Sequence, residues 1–429
     1  MLRSMYSGIG GMKNFQTKLD VIGNNISNVN TFGFKKGRTT FKDLVSQQLS
    51  GASNPTDNRG GTNPRQIGLG GTIASIDTIH TQGSLQTTGR ALDLGISGDG
   101  FFIVNNGNLS YYTRAGNFYL DRQGTLVTSD GLKVQGFQPN ATGTGINPNA
   151  FGDLRIEAGT VIPPQATTQV TFKGNLDATQ AIGATPPERV FIQHKVTDSL
   201  GGVHDVRMQF ERTGAGTWNY TAQRFDSTVT PPTSPWVALN TPVTGTLSFD
   251  ANGAPITTGF PVPPANLVLS PAELGNNVNP ITIPLSVDMF KGLTQFEGSN
   301  TADVDIVNGN SEGFLESFNI SQTGEINGVY TNGEVRILGQ IAMATFNNTG
   351  GLTKAGENLF QVSNNSGLPN VGFAGQGRGV MAGSTLEMSN VDLSEEFTEM
   401  IVAQRGFQAN TRIITTSDEI LQELVNLKR

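Results

Sequence analysis

The chain has 429 residues, of which 15% are charged and none is cysteine. Its 28 basic and 35 acidic residues give a net charge of −7, and a globally acidic chain is not typical of a nucleic-acid-binding protein. The absence of cysteine excludes disulfides, thiolate nucleophiles, cysteine metal sites and any cross-link that needs a cysteine.

The first thirty residues have the pattern of a long amphipathic helix. Apolar residues recur every three or four positions, and Gly8, Gly10 and Gly11 weaken the first third of the pattern. Basic and acidic residues interrupt this segment, so it is not a cleaved secretory signal peptide. No run of about 18 apolar residues predicts a membrane-spanning helix. The face that we assign to assembly consists of Leu2, Met5, Ile9, Met12, Leu19, Ile22, Ile26 and Val29.

Residues 24–36, NNISNVNTFGFKK, end the helical pattern. Asparagine is unfavourable inside helices and hydrogen-bonds readily to nearby backbone, and a glycine permits a positive φ. A plain helix C-cap would account for these local features. We predict in addition a joint between the helix and the β structure, with Lys35 and Lys36 facing the acidic C-terminal segment. The joint residues are Asn24, Asn25, Asn28, Asn30, Gly33 and Phe34.

The middle of the chain is predicted to be β-rich. Residues 45–75 have the Gly, Pro and Asn content of a linker. Turn signals then follow about every eight residues through 92–137, which is all-β spacing. A comparable passage returns at 318–367, where TKAG (353–356) is a short echo of TRAG (113–116). Two similar segments that flank a different insert indicate one β domain built from both halves of the chain.

The insert, roughly 145–290, contains Pro-Pro pairs between strand-like runs and is predicted to be a separate β domain with protected edges. His194 and His204 lie on neighbouring runs of the insert, and His80 precedes it. We interpret these histidines as surface residues, because no further ligands stand at a metal-binding spacing. The sequence contains no phosphate-binding loop. We therefore predict no catalytic, cofactor-binding or metal-binding residues, and no enzymatic activity.

The C-terminal segment, from about residue 388, is predicted to be a second long helix. Capping signals at 389–396 precede a heptad-like pattern, which is typical of a coiled coil. The apolar residues of this face are Leu393, Phe397, Met400, Phe407, Ile414, Leu421 and Val425. Two terminal helices folded onto one core would be the simpler alternative. However, helices that pair only with each other leave apolar surface for other copies of the chain.

Opposite charge favours contact between the two ends. Residues 1–45 carry seven basic and two acidic side chains, whereas residues 386–429 carry four basic and eight acidic ones. The predicted fold class is mainly β, with nested barrel-like or sandwich-like β domains inserted between terminal helices that form a coiled-coil core. The predicted parts are an assembly core (1–30 and 388–429), a connector (31–75), an inner discontinuous β domain (76–145 and 290–387) and an outer inserted β domain (146–289).

Several segments resemble the flagellar rod and hook family of axial proteins. They are NNISNVNTFGFKK, LDLGISGDGFFIV (92–104), YTRAGNFYLDRQGTLVTSDGLKVQGF (112–137), LGQIAMATF (338–346), GLTKAGENLF (351–360) and the C-terminal helix. Together they cover about half of the chain, at both ends and in the family's order. The large insert is typical of the hook subunits rather than the rod subunits of that family.

The resemblance implies a homopolymer, a helical tube that joins rod to filament as a flexible universal joint outside the cell. It also implies export through the flagellar type III apparatus without a cleaved signal peptide, and no membrane insertion. The partners that it implies are the distal rod, the hook cap, the hook–filament junction proteins and the hook-length control protein. The alternatives are a distal rod or other axial subunit, a secreted β-rich adhesin or binding protein, and an enzyme such as a glycan hydrolase with paired carboxylates.

Overall fold

The computed structural model describes residues 2–55, 59–140, 143–157, 159, 161–183, 186–229, 234–256, 266–275 and 278–426, without the side chains of residues 2, 3 and 424. The chain divides into two compact units. Unit 1 comprises residues 1–158, 318–328 and 336–429, and unit 2 comprises residues 159–317 and 329–335. Among the described residues, no helix is both long and apolar enough to cross a membrane.

The first part of unit 1 begins with a long helix and continues in short strands. Its elements are α1 (Leu2–Ser27), β1 (Gly37–Asp43), β2 (Ser46–Ser50), β3 (Arg65–Gly68), β4 (Gly71–Thr78), β5 (Leu85–Thr87), β6 (Leu94–Ser97), β7 (Phe101–Asn105), β8 (Ser110–Thr113), β9 (Tyr119–Leu120), β10 (Leu126–Val127), β11 (Lys133–Pro139) and β12 (Ile146–Asp153). The predicted turns occur between these strands, where Gly107, Gly124 and Gly131 have φ near +80°.

Unit 2 is built mostly from strands, and two single-turn helices lie between them. The elements from here to the return of the chain are β13 (Val161–Ile162), β14 (Val170–Asp177), β15 (Arg189–Thr197), β16 (Val203–Gly214), β17 (Thr217–Phe225), β18 (Trp236–Ala238), β19 (Thr244–Ser248), β20 (Asn266–Leu269), α2 (Pro271–Leu274), β21 (Ile281–Pro284), α3 (Val287–Phe290), β22 (Gly292–Phe296), β23 (Asp303–Val307) and β24 (Gly313–Ile320). β15, β16 and β17 form an antiparallel meander. The hydrophobic core of unit 2 includes Trp218 and Phe210 of this meander and Phe290 of α3.

The returning chain completes unit 1. Its elements are β25 (Glu325–Tyr330), β26 (Val335–Ile341), β27 (Met343–Thr345), a 3-10 turn (Thr349–Gly351), β28 (Thr353–Gly356), β29 (Leu359–Gln361), β30 (Asn370–Gly372), β31 (Val380–Gly383), β32 (Thr385–Glu387) and α4 (Leu393–Asn426). β27, β29, β31 and β32 pair antiparallel with β7, β8, β6 and β5 respectively. The predicted fold class, mainly β between two terminal helices that pack together, is therefore confirmed.

Two sequence-based expectations differ from the structure. The passage predicted as a linker contains β2 and β3, two exposed strands that pair antiparallel, and the start of β4, which pairs with β1. The interpretation of the histidines as surface residues is wrong for His194, which is buried against Phe172. Its alternation along β15 places it on the inner face of the meander, where the imidazole packs as an apolar ring.

Candidate functional site: the helix pair and the joint

The two terminal helices lie antiparallel. Near one end of the pair, the Asn25 amide donates a hydrogen bond to Glu396 at 3.1 Å. At the other end, Gly8 of α1 lies against Ile414 of α4. At about 1.5 Å per residue, the 34 residues of α4 form a rod roughly 50 Å long.

The predicted apolar residues are unequally covered. Ile22 is buried in α1, and Met5, Ile9, Met12, Leu19 and Ile26, together with Val29 just after the helix, are half-buried. Met400, Phe407, Ile414 and Leu421 of α4 are half-buried as well. In contrast, Leu393, Phe397 and Val425 are 38–68% exposed. The side chain of Leu2 lies outside the described part of the chain. The role of these residues in assembly stays a prediction.

Glycines set the close approach of the two helices, a feature that the sequence reasoning interpreted only as a weakness of α1. A Cβ added at Gly406 would stand 2.5 Å from the Phe15 ring. A Cβ added at Gly11 would stand 2.6 Å from Oδ1 of Asn410. Contacts below 3 Å are not compatible with van der Waals radii, so a side chain at either position would force Phe15 or Asn410 to move. The signal was available as small residues on the apolar faces of both helical patterns.

A second apolar stripe on α4 was also missed. Val402, Ile413 and Ile420 are 44–55% exposed, and Ile413 also lies next to Gly8 of α1. Spacings of 11 and 7 residues place them near one angular position of an α-helix. Pairing with α1 therefore leaves α4 with apolar surface in solvent.

The joint residues form a tight turn directly after α1. Asn28 donates from its side chain to the carbonyl of Asn24 at 2.9 Å, which caps the last turn of the helix. Gly33 has a φ of +71°, and its N–H donates to the carbonyl of Glu387 at 2.8 Å. A Cβ at Gly33 would stand 2.5 Å from the backbone nitrogen of Ala115. Both the left-handed conformation and the close approach require glycine here. Asn30 is exposed.

Asn25 connects the helix, the first strand and the second helix. The residue is buried, and its amide donates to the carbonyl of Gly37 at 2.9 Å as well as to Glu396. The N–H of Gly37 returns a hydrogen bond of 2.9 Å to Oδ1 of Asn25. An asparagine fits this position because one amide supplies both donors and an acceptor.

A buried trio of charges lies beneath the joint. The ammonium group of Lys35 donates to Oε1 of Glu387 at 2.6 Å and to the carbonyl of Thr81 at 2.7 Å. The guanidinium of Arg114 donates to Oε2 of Glu387 at 3.3 Å. The side chains of Lys35 and Glu387 are 0% exposed and that of Arg114 is 3% exposed. Burial lowers the pKa of Lys35 and the pKa of Arg114, and the Glu387 carboxylate opposes both shifts.

The predicted contact between the basic joint and the acidic C-terminal segment is present. Besides the buried pair, Lys36 donates to Glu395 at 2.7 Å, and Lys18 forms an ion pair with Glu399. Glu395 and Glu399 are largely exposed, so these two pairs each contribute little, about 0–1 kcal/mol. The buried trio and the hydrogen bonds of Asn25 therefore contribute most of the stabilisation of the joint.

Comparison with known proteins shows family matches along most of the chain. Residues 5–35 match the flagella basal body rod protein family, residues 95–176 the flagellar hook protein FlgE/F/G D1 domain, residues 175–310 the flagellar basal body protein FlaE D2 domain, and residues 382–427 the flagellar basal body rod FlgEFG protein C-terminal family. The chain is also similar in fold to a crystal structure of Helicobacter pylori flagellar hook protein FlgE2. The TM-score is 0.51 at 15% identity, covering 71% of this chain and 100% of that chain.

Full-length relatives carry hook and rod names. The flagellar hook protein FlgE of Borreliella burgdorferi is 42% identical over 100% of both chains, and that of Treponema pallidum is 41% identical over 100% of both chains. The flagellar basal-body rod protein FlgG of Bacillus subtilis is 36% identical, again over 100% of both. The chain belongs to the flagellar hook protein family, whose members are structural subunits of the flagellar axis.

Proposed function

We propose that this chain polymerises through α1 and α4 into the tubular hook of the flagellum, a flexible universal joint that transmits torque from rod to filament. The observation that carries the proposal is the apolar stripe Val402, Ile413 and Ile420, which remains exposed although α4 is already paired with α1. Burying apolar surface against neighbouring copies yields about 25 cal/mol per Å². The two helices, roughly 40 and 50 Å long, offer enough such surface for cohesion.

The β structure has a different role in this proposal. The predicted division into assembly core, connector, inner β domain and outer β domain assigns cohesion to the helices and sliding contacts to the outer domain. The ion pairs of unit 2 include Lys173–Asp305 and Arg189–Glu211, whose side chains are 33–62% exposed. Exposed pairs exchange readily with water, so neighbouring copies would shift past each other at low energetic cost.

Export and partners complete the proposal. A hook subunit acts outside the cell, so we propose export through the flagellar type III apparatus without a cleaved signal peptide. We also propose contacts with the distal rod, the hook cap, the hook–filament junction proteins and the hook-length control protein. These partners rest on the family membership.

Truncation tests the role of the helices. Deleting residues 400–429 should give soluble monomers whose β units melt as in the full chain, because the assembly surface is lost and the β cores are kept. Ile413→Ser should weaken polymerisation in the same direction, whereas Gln404→Ser, on an exposed polar part of α4, serves as the matched control. Sedimentation and electron microscopy report the outcome. Persistent tubes from the truncated chain would refute the role assigned to α4.

A distal rod subunit remains the second candidate, because the Bacillus subtilis relative is named a basal-body rod protein and matches over its full length. The length of the chain therefore does not distinguish a hook subunit from a rod subunit. Polymers of the purified full chain distinguish them: a curved tube supports the hook, and a straight rod supports the alternative.

A further inference from the structure

The β28–β29 hairpin (353–361) contacts the backbone of the joint through two side chains. We propose that its side chains Lys354 and Asn358, which we call the clasp, fix the turn at residues 32–35 in the position from which α1 and α4 can assemble. This inference rests on the proposed polymerisation through the helix pair, and it assigns to the clasp a positioning role in that process.

Lys354 makes two contacts with the joint. Its ammonium group donates to the carbonyl of Lys35 at 3.2 Å and lies 5.1 Å from the ring centroid of Phe34. The residue as a whole remains exposed, yet desolvation of the ammonium group lowers its pKa. The carbonyl and the ring each attract a cation, so the two contacts offset part of the hydration that the ammonium group loses.

Asn358 holds the neighbouring part of the turn. Its side-chain amide donates to the carbonyl of Phe32 at 3.2 Å, and its backbone carbonyl accepts a hydrogen bond of 3.0 Å from the Thr113 hydroxyl. The hairpin and the joint line a shared cavity of about 260 Å³. The polar bridges therefore span a cleft between the two segments.

The backbone of the hairpin is strained at the clasp. Glu357 and Asn358 have φ values of 51° and 57°. Two consecutive residues with side chains in the left-handed region are unfavourable where a hairpin would ordinarily use Asn-Gly. Such strain persists where the surroundings require it and commonly marks a functional position. At Asn358 the contact with Phe32 supplies that requirement.

The sequence similarity between TRAG (113–116) and TKAG (353–356) has a structural counterpart at the joint. Arg114 binds Glu387, the carboxylate under the side chain of Lys35, whereas Lys354 binds the carbonyl of Lys35. The equivalent basic residue of each segment thus reaches the same joint: Lys354 lies in β28 and Arg114 directly follows β8, and both strands pair with β29. The joint is held by two cations on separate chain segments.

Hydrogen exchange of the full-length monomer tests the clasp directly. Lys354→Met should accelerate amide exchange in residues 32–35 about tenfold, since a charged hydrogen bond and a cation–π contact are lost. Lys354→Arg, which keeps a cation over Phe34, should stay within about twofold of the wild type. Unchanged exchange in Lys354→Met would overturn the proposal.

A matched glycine pair separates positioning from stability. Glu357→Gly and Asn358→Gly both relieve the left-handed strain, but only Asn358→Gly removes the hydrogen bond to Phe32. Both variants should melt no lower than the wild type, whereas only Asn358→Gly should raise the critical concentration for polymerisation, by about fivefold. Equal critical concentrations for the two variants would overturn the proposal.

The two proposals fail in different ways. If the wild-type chain forms no polymer, the proposed function fails, and the exchange measurements on the monomer still decide whether the clasp orders the joint. If the wild type polymerises and Lys354→Met polymerises at the same concentration, the clasp has no positioning role and the proposed function stands.

Discussion

Replacing Glu387 by glutamine should be among the most damaging single changes in unit 1. The carboxylate is the shared partner of Lys35 and Arg114, and it also accepts a hydrogen bond of 2.9 Å from the N–H of Gly83. The amide of Glu387→Gln keeps the shape of the side chain but removes the negative charge. Its NH2 group would also point a donor at one of the groups that now donate to the carboxylate.

The magnitude follows from burial. With both cations almost completely enclosed, loss of the carboxylate leaves Lys35 without its ion-pair partner and Arg114 with only the attraction of Asp99, and breaking a buried pair in this way costs about 3–5 kcal/mol. A domain of 150–250 residues shifts by roughly 2–4 °C per kcal/mol. The unfolding transition of unit 1 should therefore fall by about 10 °C, while that of unit 2 stays in place.

Calorimetry of the full-length monomer measures both transitions in one experiment. Glu395→Gln provides the control, because Glu395 pairs with Lys36 at the surface and its loss should cost less than about 1 kcal/mol. If Glu387→Gln were as mild as Glu395→Gln, the buried trio would not hold the joint, and the reasoning from desolvation would be wrong.

Three further changes probe other parts of the molecule. Burial lowers the pKa of His194 to about 4 from the ordinary 6.5, so the neutral form is favoured in the fold. The stability of unit 2 is then complete above pH 6.5 and is lost as the pH falls towards 4. Between pH 7.5 and pH 5, the free energy of unfolding should fall by about 2 kcal/mol less in His194→Phe than in the wild type, as denaturant titrations measure. Equal falls in the two proteins would contradict the assignment. Gly406→Ala should lower the melting temperature of the helix pair through overpacking of about 1–3 kcal/mol against Phe15, a cost that outweighs the gain in helix propensity; a rise in melting temperature would show that the ring moves aside. Ile413→Ser should raise the critical concentration for polymerisation without lowering the melting temperature of the monomer, and coupled changes in both would place Ile413 in the fold rather than the interface.

The sequence alone predicted the features that depend on local signals. The three-four spacing of apolar residues predicted α1 and α4, because helical periodicity is a property of neighbouring positions. The left-handed Gly33 was likewise predicted, since an asparagine-rich helix end followed by glycine is a local capping pattern. The opposite charges of the two ends predicted the contact of Lys35 and Lys36 with the C-terminal segment.

Tertiary structure decided the features that depend on residues far apart in the chain. Lys35, Arg114 and Glu387 come from three separate segments, and nothing near any of them in the sequence indicates that the three charges are buried together. The same holds for Gly406, whose role is defined by the Phe15 ring across the helix pair. Helix periodicity and turn chemistry are encoded within a few residues, whereas burial of a charge or the need for a missing side chain is created only when distant segments meet.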